Sequence, residues 1–334
     1  MKFNLKIIIK GILIALCIYI GIILSARYIE RILFRPESTF ARTVKGFEAQ
    51  KDQIQILFLG QSDMKYAIIP KAIPHKSYNF AELGENYIGL YLKLKHYIDE
   101  MPRLKIVVLP LPLESFASGR MDWIGQGYFP PYFSYGYVTQ QDFKELYNIM
   151  GFDVVRQKMA SFSPMMDKRR MKIFWRNMRK FIRNEPIRMS EIEDGYFYST
   201  PLSVLKEEHA IEKVGEYFRK ENDFEKNLLS YFEKILILCH DRKVKVVTLT
   251  LPVADYYLKH AEKYVSKASL YEKVFLNPKL SPYIFKHIDC LELYAKDHSL
   301  FTDVEHLNYK GATLFSQRMA SELSEVMEQI QKAP

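Results

Sequence analysis

The stretch "FTDVEHLNYKGATLFSQRM", residues 301–319, sets Asp303 and His306 three positions apart, directly before a helix-like pattern. An imidazole paired with a carboxylate is the base half of a nucleophilic site. The carboxylate orients the ring and stabilises the imidazolium that forms. A candidate for the other half lies far upstream in "LFLGQSDMKYAIIP", where Gly60 and Ser62 follow an apolar run. A serine hydroxyl is a poor nucleophile until a neighbouring base takes its proton. Gly60 permits a tight turn, and the backbone N–H of Ser62 can point at a developing oxyanion. Each motif also has an ordinary use. Ser62 can simply cap a helix, and Asn308 can cap the last helix, leaving Asp303 and His306 as solvated loop residues. Asp297 and His298 form a rival pair, but adjacent residues have poor geometry for such a bond, and His298 reads as a surface residue or a support to the site.

The elements that must bring these halves together are legible as five apolar segments: residues 54–60, 77–81, 104–111, 244–252 and 287–294. The first, third and fourth are nearly continuous runs of Val, Ile and Leu, as expected of parallel strands buried on both faces. Helical patterns lie between them, at residues 85–100 and 224–242, and another closes the chain at 309–331. The alternation predicts an α/β fold of helix, sheet and helix layers. In open α/β sheets ligands bind outside the carboxyl ends of strands, which is where Ser62 falls.

Residues 112–220 have a different texture. "GQGYFPPYFSYGY" concentrates aromatics with Gly and Pro, and "MDKRRMKIFWRNMRKFIRNEP" is basic with interleaved aromatics. The interval reads as an insertion beside the active face, with helices of its own, rather than as a separate domain. Tyr128, Tyr132 and Tyr135 are candidates for stacking on sugar rings, or for the insertion's own core.

Hydrophobic residues make up 48% of the 334 residues, enough for a substantial core. The net charge of +9 suits an anionic neighbour such as a membrane surface, an acidic polysaccharide or nucleic acid. No zinc-type spacing or aromatic RNA-binding signature accompanies it, so nucleic acid is not expected as a partner. Cys17 lies in an apolar run. Cys239 and Cys290 read as buried small hydrophobes, with a disulfide between them left open.

"IIIKGILIALCIYIGIILSA", residues 7–26, carries one charge, Lys10. About 20 apolar residues cross a bilayer, so an uncleaved signal anchor is expected, with a cleaved signal peptide as the rival. Basic residues flank the run on both sides, which leaves its orientation open. "RYIERILFRPES" reads as an interfacial helix ending before Pro36. The expected division is an anchor and juxtamembrane helix over 1–36 and an α/β domain over 45–330.

Ser62 in "LGQSDMKY", with Asp303 and His306 in "TDVEHLNYKGA", resembles the SGNH/GDSL hydrolase superfamily. The similarity is greatest to its membrane-anchored branches, those of the D-alanine transfer protein of teichoic acids and the alginate-type polysaccharide O-acetyltransferases. It covers roughly residues 52–111 and 225–325. The resemblance implies a three-layer α/β/α sandwich around a parallel sheet of about five strands in flavodoxin-like order. It implies Ser62, His306 and Asp303 as catalytic residues, and Gly84 in "NFAELGENYIG" beside Ser62 in the oxyanion hole, with a plain turn glycine as the alternative for Gly84. The Asn that the family's third block usually supplies is missing from "VVLPLPLESFASG". Asp63 and Asn308 become candidate substrate contacts, with helix-terminal roles as their alternatives. No cofactor or metal is called for. The implied activity is a serine esterase or O-acyltransferase on acetyl or other acyl groups of a cell-envelope or exported polysaccharide. A membrane acyl-donor protein is an implied partner, and the catalytic domain is expected on the periplasmic or cell-surface side. Two other readings stay open: a non-catalytic envelope protein that binds glycan or a membrane partner, and a basic membrane-surface module built on "KRRMKIFWRNMRKFIR".

Overall fold

Runs of β-branched and aliphatic residues form strands when both faces can be covered, because each alternate side chain then finds an apolar neighbour. The computed structural model of the chain describes residues 5–29, 39–123, 129–163, 168–185, 192–197 and 205–332. Seven strands occur among them: β1 Ile56–Phe58, β2 Ser77–Asn79, β3 Ile106–Pro110, β4 Ile192–Glu193, β5 Tyr196–Phe197, β6 Lys245–Thr250 and β7 Ile284–Asp289. Five make one sheet in the order β2-β1-β3-β6-β7, and every neighbouring pair is parallel. β4 and β5 form a separate antiparallel hairpin. Fourteen α-helices accompany them among the described residues.

The strand order sets the location of a site. β1 lies between β2 and β3, so the chain leaves β1 in one direction and returns past it to build the rest of the sheet. The crevice at such a switch point is where open parallel sheets bind ligands. Every residue of β1, β2 and β3 is buried. Ile56, Phe58, Ile106, Val108, Val247 and Leu249, alternate residues on three strands, share a core with Phe315, Met319, Leu323 and Val326 of the Tyr309–Lys332 helix. Each large apolar side chain buried this way contributes about 1.5–3 kcal/mol. The Tyr87–Tyr97 and Lys226–Asp241 helices pack on each other.

One strand differs from the sequence expectation, and the cysteines take the buried, unpaired form expected of small hydrophobes. The fifth strand runs over Ile284–Asp289 rather than 287–294, because the chain turns after Asp289, whose carboxylate accepts the Leu291 N–H at 3.2 Å. Cys239 and Cys290 are both buried and both free, so the open disulfide is absent.

The chain divides into two compact units, 42–124 with 190–334, and 1–41 with 125–189. The sheet belongs to the first. The interval 112–220 is therefore not one piece: its middle clusters with the N-terminal segment, and its two ends belong with the sheet. In the other unit, the Leu5–Ile29 helix is exposed along nearly its whole length and is long and apolar enough to cross a membrane. The proposed juxtamembrane helix falls mostly on residues 30–38, outside the described residues. The Pro130–Ser134, Gln140–Met150, Phe152–Phe162 and Lys168–Ile182 helices complete the unit. Thr139 and Asp142 close a reciprocal capping box at the start of the second of these.

Candidate active site

Ser62 is the first residue of a short helix, Ser62–Ala67, reached four residues beyond the end of β1. Gly60 makes this approach possible. A Cβ at that position would stand 2.7 Å from Met64 Cβ and 3.3 Å from Pro110 Cγ, so no larger residue fits without moving the turn. Three side chains then hold the short helix in place. Asn79, at the end of β2, donates to the carbonyls of Met64 and Ile68 at 2.9 and 3.0 Å. Lys65 Nζ, fully buried, reaches Ala81 O at 2.8 Å, Thr43 Oγ1 at 3.0 Å and Glu82 at 3.1 Å. Ser316, on the last helix, accepts the Ile69 N–H at 2.9 Å. The last of these ties the serine turn to the helix that follows His306.

The loop carrying the histidine is closed on itself. Phe301 and Leu307 form an antiparallel bridge, and the Thr302 N–H donates to His306 O at 2.7 Å. Val304 O accepts the Ala254 N–H at 3.0 Å, which anchors the loop beyond the carboxyl end of β6. Within it, Asp303 Oδ1 accepts the backbone N–H groups of Glu305 at 2.9 Å and His306 at 3.0 Å. The spacing of D-x-x-H therefore has a local cause: the carboxylate folds back onto the turn that presents the imidazole.

Across the gap, His306 Nε2 lies 2.7 Å from Ser62 Oγ, and Nδ1 lies 2.8 Å from Asp303 Oδ2. An ionised carboxylate only accepts hydrogen bonds, so the proton sits on Nδ1 and leaves the Nε2 lone pair facing the serine hydroxyl. Burial disfavours the His306 imidazolium, but the charge and hydrogen bond of Asp303 outweigh it and raise the pKa above the ordinary histidine value. Burial likewise works against an ionised Asp303. The His306 charge and the three hydrogen bonds prevail and hold it at about 2. The edge of Tyr66 packs on the imidazole, ring centroids 4.9 Å apart. Ser62 is half-buried. As the first residue of a helix, its backbone N–H has no intrahelical acceptor.

Gly84 lies in the turn after β2, half-buried, with φ +69°. That turn is joined to the serine turn by the Glu82 N–H, which donates to Gly60 O at 3.0 Å.

The candidate substrate contacts fare differently. Asp63 is buried, its carboxylate accepting the Met64 N–H at 2.6 Å and Gln61 Nε2 at 3.1 Å, so it points away from solvent. Asn308 is the cap of the last helix: Oδ1 accepts the Gly311 N–H at 3.1 Å, and Nδ2 donates to Ser299 O and Phe301 O at 2.7 and 3.2 Å. Both ends of its amide are engaged within the protein, in the helix-terminal role. Tyr132 is buried and stacked on Phe129 at 4.9 Å, so its faces are taken by the core of its own unit. Tyr135 packs at 5.3 Å on Phe40 in the same cluster, and Tyr128 lies outside the described residues. His298 pairs with Asp255 at 2.7 Å, while Asp297 accepts the Ser299 N–H.

Two groups around the triad carry no local sequence signal. Gln61 Nε2 donates to both Asp63 and Glu114 at 3.1 Å, and Tyr257 donates to the other Glu114 oxygen at 2.8 Å. Glu114 is buried, and both of its oxygens accept hydrogen bonds. Burial, helped by the Glu114 charge, pushes Asp63 up to about 6. On the histidine side Glu305 is buried, accepting from Tyr217 at 3.2 Å with Lys213 at 3.7 Å. Burial raises it to about 7 despite Lys213 and His306. Among the described residues no group of His, Cys, Asp and Glu is arranged to hold a metal ion. No family model matches the chain, and no match is found among curated proteins.

Proposed function

We propose that the chain is a membrane-anchored serine esterase or O-acyltransferase of SGNH/GDSL type, built as a three-layer α/β/α sandwich. Its substrates are acyl groups, acetyl foremost, on a cell-envelope or exported polysaccharide. The observation that carries the proposal is the hydrogen-bonded series Ser62 Oγ, His306 Nε2, His306 Nδ1 and Asp303 at 2.7 and 2.8 Å. In the first half-reaction Ser62 Oγ attacks the acyl carbonyl while Nε2 takes its proton. Asp303 stabilises the imidazolium, and the Ser62 N–H, with Gly84 on the neighbouring turn, faces the oxyanion. The imidazolium then protonates the leaving alcohol, leaving an acyl-serine. In the second half, His306 deprotonates water or a sugar hydroxyl, which attacks the acyl-serine; the acyl–Oγ bond breaks, the imidazolium returns its proton to Ser62 Oγ, and an acid or a new ester leaves. The apolar Leu5–Ile29 helix supports a single-pass anchor, with the sheet domain on the extracytoplasmic side, where glycan and a membrane acyl-donor protein are met.

The test is labelling with a fluorophosphonate serine probe. Labelling of the native chain and its loss in Ser62→Ala are expected. A native chain that never labels would sink the proposal. Acetate release from an O-acetylated glycan, against transfer to an added glycan, then separates hydrolase from transferase.

A further inference from the structure

The Lys168–Ile182 helix contains seven basic residues and no acidic one. Six of its seven apolar residues, Met171, Phe174, Trp175, Met178, Phe181 and Ile182, recur at helical spacing along one side. Phe174 and Met178 pack against Ala26 and Ile29, at the C-terminal end of the apolar Leu5–Ile29 helix. The contact puts the basic helix at the depth where that span would leave a bilayer. The apolar side is only partly used there: Trp175 is 47% exposed, Phe181 53% and Ile182 75%. Lys172, Arg176, Arg179 and Lys180 lie on the opposite side.

From these features we infer that the Lys168–Ile182 helix lies in the headgroup layer of an anionic membrane, with Trp175, Phe181 and Ile182 among the acyl chains and the basic side against phosphates. The inference rests on the membrane-anchored reading of the N-terminal helix and not on the chemistry of Ser62. An amphipathic helix with a cationic side and a Trp/Phe/Ile side binds such an interface through both terms, buried apolar area and charge. A second copy of the chain is the poorer occupant, because it would bring seven more positive charges against the same surface. A second feature points the same way. Arg27, next to the Ala26 contact, lies over the Phe162 ring at 5.5 Å, and Lys158 lies over Phe143 at 4.5 Å. Both cations line one groove with Ser134, Thr139 and Gln140, and none of the lining residues is acidic. A lipid phosphate at the end of the span would meet two cations and several hydrogen-bonding side chains there.

The chain has two tryptophans, so Trp123→Phe leaves Trp175 as the reporter. The full chain is reconstituted into nanodiscs of phosphatidylcholine, with and without phosphatidylglycerol. Expected are a blue-shifted Trp175 emission, quenching by brominated lipid, and a severalfold fall in acrylamide quenching relative to detergent. The protection is expected to be greater with phosphatidylglycerol. Replacing Lys172, Arg176, Arg179 and Lys180 together by Gln should abolish the dependence on phosphatidylglycerol. If Trp123→Phe does not fold, subtracting the emission of Trp175→Phe from that of the native chain gives the same signal. Trp175 open to acrylamide in both discs would overturn the inference. So would a Trp175 protected from acrylamide but silent to brominated lipid, since protein would then be covering it. Equal protection with and without phosphatidylglycerol would overturn the role given to charge. Alkaline carbonate extraction separates the two levels: release of the chain sinks the anchor, whereas a carbonate-resistant chain with a water-exposed Trp175 sinks only the helix placement.

Discussion

Carboxylates on the two sides of Ser62 behave in opposite ways. On the histidine side Asp303 is held at about 2, and on the Gln61 side Asp63 is pushed up to about 6. Desolvation acts on both, and more fully on buried Asp63 than on Asp303, whose side chain is 41% exposed. Partners separate them further. Asp303 faces an imidazole that can carry positive charge, and it accepts two backbone N–H groups. Asp63 faces Glu114, and a single Gln61 amide is shared between the two acids. Glu305, two residues from Asp303, follows Asp63 and rises to about 7. Closeness to the triad does not set the charge of an acid; the depth of its burial and the groups facing it do. The consequence is chemical. The one strongly ionised carboxylate of the three is the one bonded to the imidazole, and the two acids held partly protonated compete less for its positive charge.

Breaking the ionised side should have the largest effect. In Asp303→Asn the amide no longer fixes the proton on Nδ1, and labelling of Ser62 by a fluorophosphonate is expected to fall about 10³–10⁴-fold. An unchanged rate would remove Asp303 from the site. The same variant tests the pH profile. Labelling needs neutral His306, so in the native chain it rises with pH through a midpoint above 6.5, and loss of the Asp303 charge should move that midpoint down. Next in size is the support beneath Ser62. Lys65→Met leaves Glu82 without its buried partner and should cost about 3–5 kcal/mol in urea unfolding. An unaltered midpoint would show that the short helix stands without this pair.

Asp63→Asn probes the protonated side. The folded value of about 6 exceeds the ordinary 3.8, so the folded chain keeps a proton that the unfolded chain loses. The stabilisation is fully present below the ordinary value and is lost as pH rises through the folded one, about 3 kcal/mol in all at 1.36 kcal/mol per unit. Asp63→Asn should flatten this fall, seen in urea midpoints measured below and above the window. A slope equal to the native one would assign it to other groups. Glu305→Gln should have the smallest effect. Ionised Glu305 helps raise His306, so its removal should lower the labelling midpoint by less than Asp303→Asn does. A larger shift would reverse the ranking of the two acids.

Much of the fold can be read along the chain because its signals are local. The apolar runs around Ile56–Phe58, Ile106–Pro110 and Lys245–Thr250 announce strands buried on both faces, and the closing helix follows its apolar spacing. Ser62, Asp303 and His306 can be picked out for the same reason: each sits in a short pattern whose residue types suit one another. The edge strand β7, with mixed burial, is weaker in pattern and was displaced. Tyr132 shows where local reading stops. An aromatic beside Gly and Pro looks like an exposed stacking face, but Phe129 and Phe40 cover it. Lys65 gives no sign in sequence that its ammonium is fully buried.

The order of the sheet strands, the apolar helix at the N-terminus and the residue types able to carry nucleophilic chemistry are written along the chain. That Ser62 and His306, 244 residues apart, stand 2.7 Å from each other comes from packing in three dimensions. The same packing decided that Gln61 is shared with Glu114 and that Asp63 turns inward. The physical reason is range. Propensity, capping and apolar periodicity act over a few residues, whereas desolvation and charge pairing depend on distance in space, which the packing of the parallel sheet and its helices fixes.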